Sequence, residues 1–287
     1  MQKMKIVVTG SSGLLGRHVA AAAVDAGHTT LGIDEVAPVA ATWAHVTADL
    51  TNLGASLQLI RDCDAVIHIA AIPRPTGRAG GEVFMTNVAA TYNVVEAAAM
   101  AGAKRFVYAS SMSVFGYPFF EAEVRPPYLP VDQGHPICAQ DPYGLSKWLG
   151  EEIVDAAVRR RAFSAVSVRM PWIQTPETFY RDVGYRRTTA DSARDLWGYL
   201  DARDAAQGFM LALDWQGEGH LRTLLSAADT FMEEASEPLV RKAFPQAAFS
   251  RPIGGCDGVL DISHAQTTLG FRPVYSWRSY QKPEMTP

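Results

Sequence analysis

The sequence Thr9-Gly10-Ser11-Ser12-Gly13-Leu14-Leu15-Gly16 follows the apolar residues IVV at 6–8 and opens an Ala-rich helical pattern. Glycines at this spacing indicate a tight turn between a strand and a helix, because a residue without a side chain lets the backbone bend and lets a ligand come close. The N–H groups at the start of the helix then face an anion. The turn predicts a strand–turn–helix unit that binds a dinucleotide pyrophosphate, with contacts from Gly10, Ser12, Gly13, Leu14, Leu15 and Gly16.

Short apolar runs and helical patterns alternate around this turn through the first 169 residues. The expected strands are Lys5–Thr9, Thr29–Ile33, His45–Ala48, Ala65–Ala70, Arg105–Ala109 and Ala165–Arg169. The expected helices are Leu14–Ala26, Leu53–Arg61, Glu82–Ala101 and Tyr143–Arg160. Nearly continuous apolar strands separated by helices are typical of a parallel sheet covered on both faces. We therefore predict an α/β protein with a Rossmann-type, doubly wound parallel sheet.

The alternation stops after the sixth strand. Tyr199–Leu213 has the pattern of a strand end and a helix, with Asp201 or Asp204 as its N-cap. Farther on, the patterns predict a strand near Leu221–Ala227 and a helix near Glu233–Phe244. We therefore expect a cofactor domain and a small, discontinuous C-terminal substrate-binding lobe. The cofactor domain would comprise residues 1–169 plus 199–213, and the lobe residues 170–198 plus 214–287.

The composition excludes several classes of function. The chain has 287 residues with 26 basic and 30 acidic side chains, so no nucleic-acid or membrane surface is expected. Its three cysteines are too few and too scattered for a disulfide framework or a metal site. No apolar run is long enough for a signal sequence or a membrane span. We expect a cytoplasmic protein whose partner is a small molecule.

Asp34 closes the second predicted strand, in Leu31-Gly32-Ile33-Asp34-Glu35. A carboxylate at this position accepts hydrogen bonds from the adenosine ribose and repels a 2′-phosphate. No Arg or Lys lies between Asp34 and Arg61 to bind such a phosphate. The sequence therefore favours NAD over NADP as the cofactor.

A second motif, Tyr143-Gly144-Leu145-Ser146-Lys147, lies at the start of a predicted helix. Residues four apart share one face of a helix, so the phenol and the ammonium are neighbours. A cation beside a phenol lowers the pKa of the phenol and suits it to general acid or base catalysis. Together with the glycine turn, this motif predicts redox chemistry with a nicotinamide.

The motifs as a set resemble the extended short-chain dehydrogenase/reductase family, in its NAD-dependent epimerase/dehydratase branch. Besides the glycine turn and YGLSK, the matching segments are ADL at 48–50, HIAA at 68–71, TNVAATYNVVEAA at 86–98, ASSMSVFG at 109–116 and VLDISHAQTTLGFRP at 259–273. The resemblance implies that Tyr143 is the catalytic acid/base, Ser111 the catalytic hydroxyl, and Lys147 the residue that holds the nicotinamide ribose. Further cofactor contacts implied by it are Asp49, Leu50, Ile69, Ala70, Ala71, Asn87, Ala109, Tyr143 and Met170. The implied substrate contacts are Ser111, Met112, Ser113, Trp172 and Arg251.

Departures from the family pattern narrow the expected reaction. Dehydratases of this family carry Asp-Glu where this chain has Met112 and Ser113, so loss of water and decarboxylation are disfavoured. Hydride transfer at a carbinol remains, either transient in an epimerase or net in a dehydrogenase. Trp172 replaces an Asn that grips a nucleotide diphosphate in relatives. The arginines that could bind a phosphate or carboxylate instead are Arg181, Arg186, Arg187 and Arg251.

Three functions stay open on this evidence. The first is an NAD-dependent epimerase or oxidoreductase acting on a sugar nucleotide or a related sugar. The second is an NAD-dependent dehydrogenase of a small non-nucleotide hydroxy compound such as a sugar acid. The third is a non-catalytic dinucleotide sensor, which Ser111, Tyr143 and Lys147 disfavour because binding alone does not need the phenol.

The helices Glu82–Ala101 and Tyr143–Arg160 also predict a homodimer. The resemblance implies that this pair of helices packs against its symmetry mate. Both helices are more apolar than one buried face requires, which indicates a second packing partner; the alternative is that these residues fill the monomer core against the sheet. The residues expected at the interface are Val83, Val94, Ala97, Ala98, Trp148, Ile153, Val154 and Ala157.

Overall fold

A seven-stranded parallel sheet forms the centre of the protein, whose computed structural model describes residues 3–184 and 190–280. The strands are β1 (Lys5–Thr9), β2 (Thr29–Asp34), β3 (Ala44–Thr47), β4 (Ala65–His68), β5 (Arg105–Ala109), β6 (Tyr128–Leu129), β7 (Ser164–Arg169), β8 (Trp172–Gln174), β9 (Tyr199–Asp201), β10 (His220–Leu224) and β11 (Ala248–Phe249). The large sheet has the order β3–β2–β1–β4–β5–β7–β10 with every neighbouring pair parallel. The order reverses between β1 and β4, the place where doubly wound sheets bind their ligands.

Helices cover both faces of this sheet. They are α1 (Leu14–Asp25), α2 (Leu53–Ile60), α3 (Gly80–Ala101), α4 (Pro142–Arg159), α5 (Pro176–Asp182), α6 (Ala202–Leu213), α7 (Ser236–Ala243) and α8 (Ser263–Thr268). One apolar core lies between the sheet and α1 and α6, and a second lies between the sheet and α2, α3 and α4. The predicted α/β fold is confirmed, with each end of the six strands and four helices expected before residue 170 within two residues of its expected position.

A smaller lobe stands over one end of the sheet. It contains two short parallel pairs, β6 with β11 and β8 with β9, around a third apolar core. The 3-10 helix Met112–Phe115 contributes to this core although it follows β5 of the large sheet. Conversely, β10 and α8 come from the predicted lobe segment 214–287 but pack on the large sheet. The chain therefore crosses between the sheet and the lobe more often than expected. The predicted bounds of the two domains stay a prediction.

The residues expected at a dimer interface lie mostly inside the monomer. Val83, Val94, Ala97, Ala98, Val154 and Ala157 are all buried. Their assignment to an interface is wrong, because α3 is packed between α2 and α4 as well as on the sheet and needs apolar side chains on several sides. The large apolar side chains that α3 and α4 leave exposed are Met85, Tyr92, Met100 and Leu145.

No helix within residues 3–184 and 190–280 is both long enough and apolar enough to span a bilayer. The same residues contain no cluster of three or more His, Cys, Asp or Glu side chains that could hold a metal ion. The cytoplasmic location stays a prediction.

Candidate active site

The glycine turn is closed by contacts that leave no room for side chains. Gly10 has a φ of +72°, and a Cβ there would lie 2.7 Å from the Ala70 backbone nitrogen. A Cβ on Gly16 would lie 1.9 Å from the Gly10 carbonyl oxygen, so the first turn of α1 rests directly on the loop. The Thr9 hydroxyl accepts hydrogen bonds from the N–H groups of Ile69 and Ala70, at 3.1 and 3.2 Å. The result is a cradle walled by bare backbone, which suits a pyrophosphate.

Asp34 lies beside this cradle at the end of β2. Its carboxylate accepts hydrogen bonds from the backbone N–H groups of Ser12 at 2.9 Å and Val36 at 3.2 Å. The Ser12 hydroxyl in turn donates to the Val36 carbonyl at 2.6 Å. The negative charge is therefore fixed next to the glycine turn, where it favours ribose hydroxyls and opposes a 2′-phosphate.

Two asparagines of α3 hold the loops on either side of the cofactor cleft. Asn87, which the sequence analysis assigned to the cofactor, binds both the N–H and the carbonyl of Ile72 and donates to Ser146 on α4. Asn93 was not predicted, and its amide donates to the carbonyls of Leu50 at 3.0 Å and Thr51 at 2.8 Å. Asparagines within an apolar helical pattern are the signal that the sequence offers, since an amide that becomes buried needs partners. Both side chains position the loops that would surround a dinucleotide.

Asp49 and Leu50 begin the loop after β3. The Asp49 carboxylate accepts from the Thr51 N–H at 2.8 Å and the Thr51 hydroxyl at 2.7 Å, which closes a tight turn. Leu50 is buried beneath this turn, while Asp49 remains exposed. The predicted role of Asp49, a contact with the adenine amino group, stays a prediction.

The catalytic candidates meet where α4 approaches the end of β5. Asp141 caps α4 by accepting from the N–H groups of Tyr143 and Gly144, both at 2.9 Å. The Lys147 ammonium nitrogen lies 5.7 Å from the centre of the Tyr143 ring and donates to the Ala109 carbonyl at 2.8 Å. Asp141 was not predicted, although Asp followed by Pro is a recognisable helix start.

Ser111 completes the group from the other side. Its hydroxyl donates to the Ser113 hydroxyl at 3.0 Å, and it lies close enough to the Tyr143 phenol to lower the pKa of that phenol. The Met112 N–H donates to the Met170 carbonyl at 2.9 Å, which ties the ends of β5 and β7 together. The structure thus brings Ser111, Tyr143 and Lys147 together as the sequence predicted.

Two glycines let α4 lie this close to its neighbours. A Cβ on Gly144 would lie 2.6 Å from the Ser113 carbonyl oxygen. A Cβ on Gly150 would lie 2.0 Å from the Tyr108 hydroxyl. Both positions therefore exclude a larger residue for steric reasons, which sequence analysis could not detect because it depends on what α4 packs against.

Burial is the largest influence on the pKa values of both Tyr143 and Lys147. Burial raises the pKa of Tyr143 to about 12, against the hydrogen bond from Ser111, which lowers it, and with the charge of Asp141, which raises it. Burial lowers the pKa of Lys147 to about 7. The lowering of the Tyr143 pKa expected from its cation is not found in the protein alone, because burial disfavours the phenolate and is the largest cause of the shift.

The substrate candidates are more scattered. Met112 and Ser113 are buried, and the Met112 side chain packs in the lobe core. Trp172 is 39% exposed at the start of β8. Arg251 forms an ion pair with Asp261 at 2.9 Å, and Arg181 pairs with Asp182 on the surface. Arg186 and Arg187 lie outside the described residues.

The residues present fit NAD. The cradle at Gly10 and Gly16 would receive the pyrophosphate, and Asp34 would accept from the adenosine ribose. Lys147 has three N–H donors and gives one to Ala109, which leaves donors for a second ribose. When bound, NAD supplies the acceptor or donor of a hydride.

Comparisons with known proteins agree with this site. The model of the NAD dependent epimerase/dehydratase family matches residues 6–222. The chain is 29% identical to the L-arabinose 1-dehydrogenase (NAD(P)(+)) of Haloferax volcanii over 73% of this chain and 82% of that protein. It is also 29% identical to the dTDP-4-dehydrorhamnose reductase of Mycobacterium tuberculosis over 96% and 90%.

A solved structure supports the same assignment. A short-chain dehydrogenase/reductase superfamily protein from Agrobacterium tumefaciens with bound NAD superposes with a TM-score of 0.72 at 27% identity, over 96% of this chain and 94% of that one. The resemblance inferred from the motifs and the NAD cofactor are confirmed. The chain belongs to the NAD-dependent epimerase/dehydratase family and is an NAD-dependent epimerase or dehydrogenase of the extended short-chain dehydrogenase/reductase type.

Proposed function

We propose that the protein transfers a hydride between NAD and a carbinol carbon of a sugar or sugar derivative, with Tyr143 as the acid/base. The observation that carries this proposal is the meeting of Ser111, Tyr143 and Lys147 at the end of β5. Tyr143 moves the proton of the reacting hydroxyl, Ser111 orients that hydroxyl, and Lys147 holds the cofactor ribose. Met112 and Ser113 provide no carboxylate, so they support redox chemistry without loss of water.

The protonation state of Tyr143 sets how the rate in each direction depends on pH in this proposal. With a pKa of about 12, the Tyr143 phenol is protonated at neutral pH and is ready to donate to a carbonyl oxygen. Oxidation of an alcohol needs the phenolate, so its rate rises with pH as the Tyr143 proton is lost. Reduction follows the opposite dependence.

The substrate is a sugar nucleotide or a smaller sugar, and one observation favours the smaller. Arg251 lies where the family binds a nucleotide phosphate, but its guanidinium is already paired with Asp261. Together with Trp172, this pairing removes two of the expected diphosphate contacts. Similarity to an L-arabinose dehydrogenase supports a free sugar or sugar acid as the second candidate substrate class.

The test is turnover of a panel of sugar nucleotides, free sugars and sugar acids with NAD, monitored at the nicotinamide absorbance band and by product analysis. We expect Tyr143→Phe to lower turnover by a factor on the order of 10² to 10⁴ with NAD binding unchanged. Tyr128→Phe is a matched control, since that hydroxyl binds Asp132 in the lobe. Full activity of Tyr143→Phe would overturn the assignment.

We also propose a homodimer that uses the exposed apolar residues of α3 and α4. Met85 and Tyr92 are seven residues apart and share one side of α3, and Tyr92 is 51% exposed. Leu145 adds an exposed apolar side chain from α4. Tyr92→Glu should give a monomer in analytical ultracentrifugation at micromolar concentration, and Val274→Glu, at another exposed apolar residue, should not. A monomeric wild-type protein contradicts the proposal.

A further inference from the structure

Helix α4 carries a buried carboxylate one turn beyond Lys147. Glu151 is fully buried and follows Tyr143 and Lys147 at intervals of four residues. Its carboxylate accepts from the Ser110 hydroxyl at 2.5 Å and from the Arg169 guanidinium at 2.8 and 2.7 Å. Arg222 on β10 adds a fourth hydrogen bond at 3.1 Å. The two carboxylate oxygens are therefore fully satisfied without any solvent.

Each of its two nearest partners directly precedes a predicted site residue in the chain. Ser110 directly precedes Ser111 and lies just beyond the last residue of β5. Arg169 directly precedes Met170, whose carbonyl receives the Met112 N–H. Arg169 also donates to the Gln133 carbonyl at 2.8 Å and lies 4.9 Å over the Phe115 ring. The Glu151 carboxylate thus joins α4 to both strand ends at the site.

We propose that Glu151 is a positioning residue that acts through Ser110 to aim the Ser111 hydroxyl at the Tyr143 phenol, an inference that rests on the proposed function. Strand β5 ends at Ala109, so strand pairing does not fix the direction of the chain at Ser110. A hydrogen bond from the Ser110 hydroxyl to a buried carboxylate is stronger than one between neutral groups. Because Glu151 and Tyr143 lie on the same rigid helix, this bond sets Ser111 relative to Tyr143.

Ser110→Ala tests the inference directly, because it removes the link and keeps the ion pair between Glu151 and Arg169. We expect kcat to fall about tenfold, as a loss of about 1.4 kcal/mol of transition-state stabilisation implies, with the KM for NAD unchanged. The matched control is Ser167→Ala, which removes another buried hydroxyl, bonded to His220, from β7. Ser167→Ala should retain the wild-type kcat.

The pH profile separates positioning from a general loss of structure. The hydrogen bond from Ser111 lowers the pKa of Tyr143, so a misdirected Ser111 lets that pKa rise. In Ser110→Ala the limb of the oxidation profile that rises with pH should therefore move to higher pH. The other titratable groups facing Tyr143 are Lys147, Asp141 and Tyr108, and the substitution touches none of them.

The outcomes distinguish this inference from the proposed function. If Tyr143→Phe is inactive while Ser110→Ala matches the wild type in kcat and pH profile, the positioning role is overturned and the function stands. Equal losses in Ser110→Ala and Ser167→Ala, or a raised KM for NAD in Ser110→Ala, also overturn it. Glu151→Gln should show the same pH shift where it folds, although it leaves Arg169 as an uncompensated buried charge.

Discussion

The large sheet and the lobe are held together in different ways. The strands of the sheet have four to six residues and are joined by continuous parallel backbone pairing. The lobe strands have only two or three residues, and much of the lobe depends on single side chains that reach across the chain. Tyr180 donates to the Tyr280 carbonyl 100 residues away, and Ser250 to the Leu129 carbonyl 121 residues away. The geometry of the sheet thus follows from regular backbone pairing between adjacent strands. The geometry of the lobe follows from a few contacts between residues far apart in the chain.

This difference predicts where one side chain matters most. Trp277 stacks on Phe179 at 5.4 Å, and its indole N–H donates to the Thr230 carbonyl. Trp277→Ala should lower the free energy of unfolding by about 3–5 kcal/mol, since it leaves a large cavity. Because this contact lies in the lobe, we expect an early unfolding transition of the lobe in calorimetry, with NAD binding to the remaining sheet retained.

Phe106→Ala is the counterpart in the sheet. Phe106 on β5 is also buried and stacks on Phe163 at 4.9 Å. A cavity there should lower the temperature at which the whole protein unfolds and should weaken NAD binding. A single transition of the same shape in both variants would show that the two regions unfold as one unit, despite their different construction.

In the sheet half, the buried Lys147 ammonium should lower the free energy of unfolding of the cofactor-free protein. Burial of the Lys147 ammonium lowers its pKa to about 7, so the folded protein binds this proton more weakly than the unfolded chain does. Lys147→Met should raise the free energy of unfolding of the cofactor-free protein by about 1–3 kcal/mol at pH 6. The same variant should lose NAD affinity, since it removes the donor to the ribose.

The pH dependence of this effect has a definite sign. Between the folded pKa of about 7 and the unfolded value of 10.5, the unfolded state holds more protons at Lys147, so stability rises with pH across this window. The difference between Lys147→Met and wild type should therefore shrink as pH increases, in denaturant titrations at pH 6 and pH 9. A constant difference would mean that the ammonium is solvated.

The smallest effect concerns cofactor choice, which is set entirely within the sheet half. NAD should bind at least tenfold more tightly than NADP, a difference of about 1.4 kcal/mol. Asp34→Asn removes the charge but keeps an acceptor, and should reduce this preference in calorimetric titrations. Glu35→Ala changes the adjacent exposed carboxylate and should leave it unaltered. Equal affinities of the wild type for NAD and NADP contradict the role of Asp34.

The sequence predicted the parts of the site whose residues lie near one another along the chain. The glycine turn needed only its neighbours along the chain, and the spacing of Tyr143 and Lys147 needed only the geometry of a helix. The partners of Glu151, by contrast, come from the residue after β5, from β7 and from β10, and no spacing along α4 indicates them. Burial was equally invisible, so the pKa of Tyr143 was expected to move in the wrong direction.

Contacts in the lobe and at the expected dimer interface were also beyond what the sequence alone could predict. An apolar helix has the same pattern whether its second partner is another helix of the monomer or another subunit, so Val94 and Ala97 were placed at an interface. Arg251 looked available for a phosphate because Asp261, ten residues later, gives no sign in the sequence that it pairs with it. These relations depend on which surfaces meet, and this appears only in three dimensions.

The glycines of α4 have a consequence for engineering. Replacing a helical glycine by alanine is a common route to a more heat-resistant enzyme, worth about 0.5–1 kcal/mol for each position. That route is closed at Gly144 and Gly150, where a methyl group would collide with the Ser113 carbonyl and the Tyr108 hydroxyl. Thermostable variants of this protein should therefore be sought at glycines such as Gly81, where a Cβ would meet nothing within 4 Å. The helix that carries Tyr143 and Lys147 would then keep its glycines while the rest of the chain is stiffened.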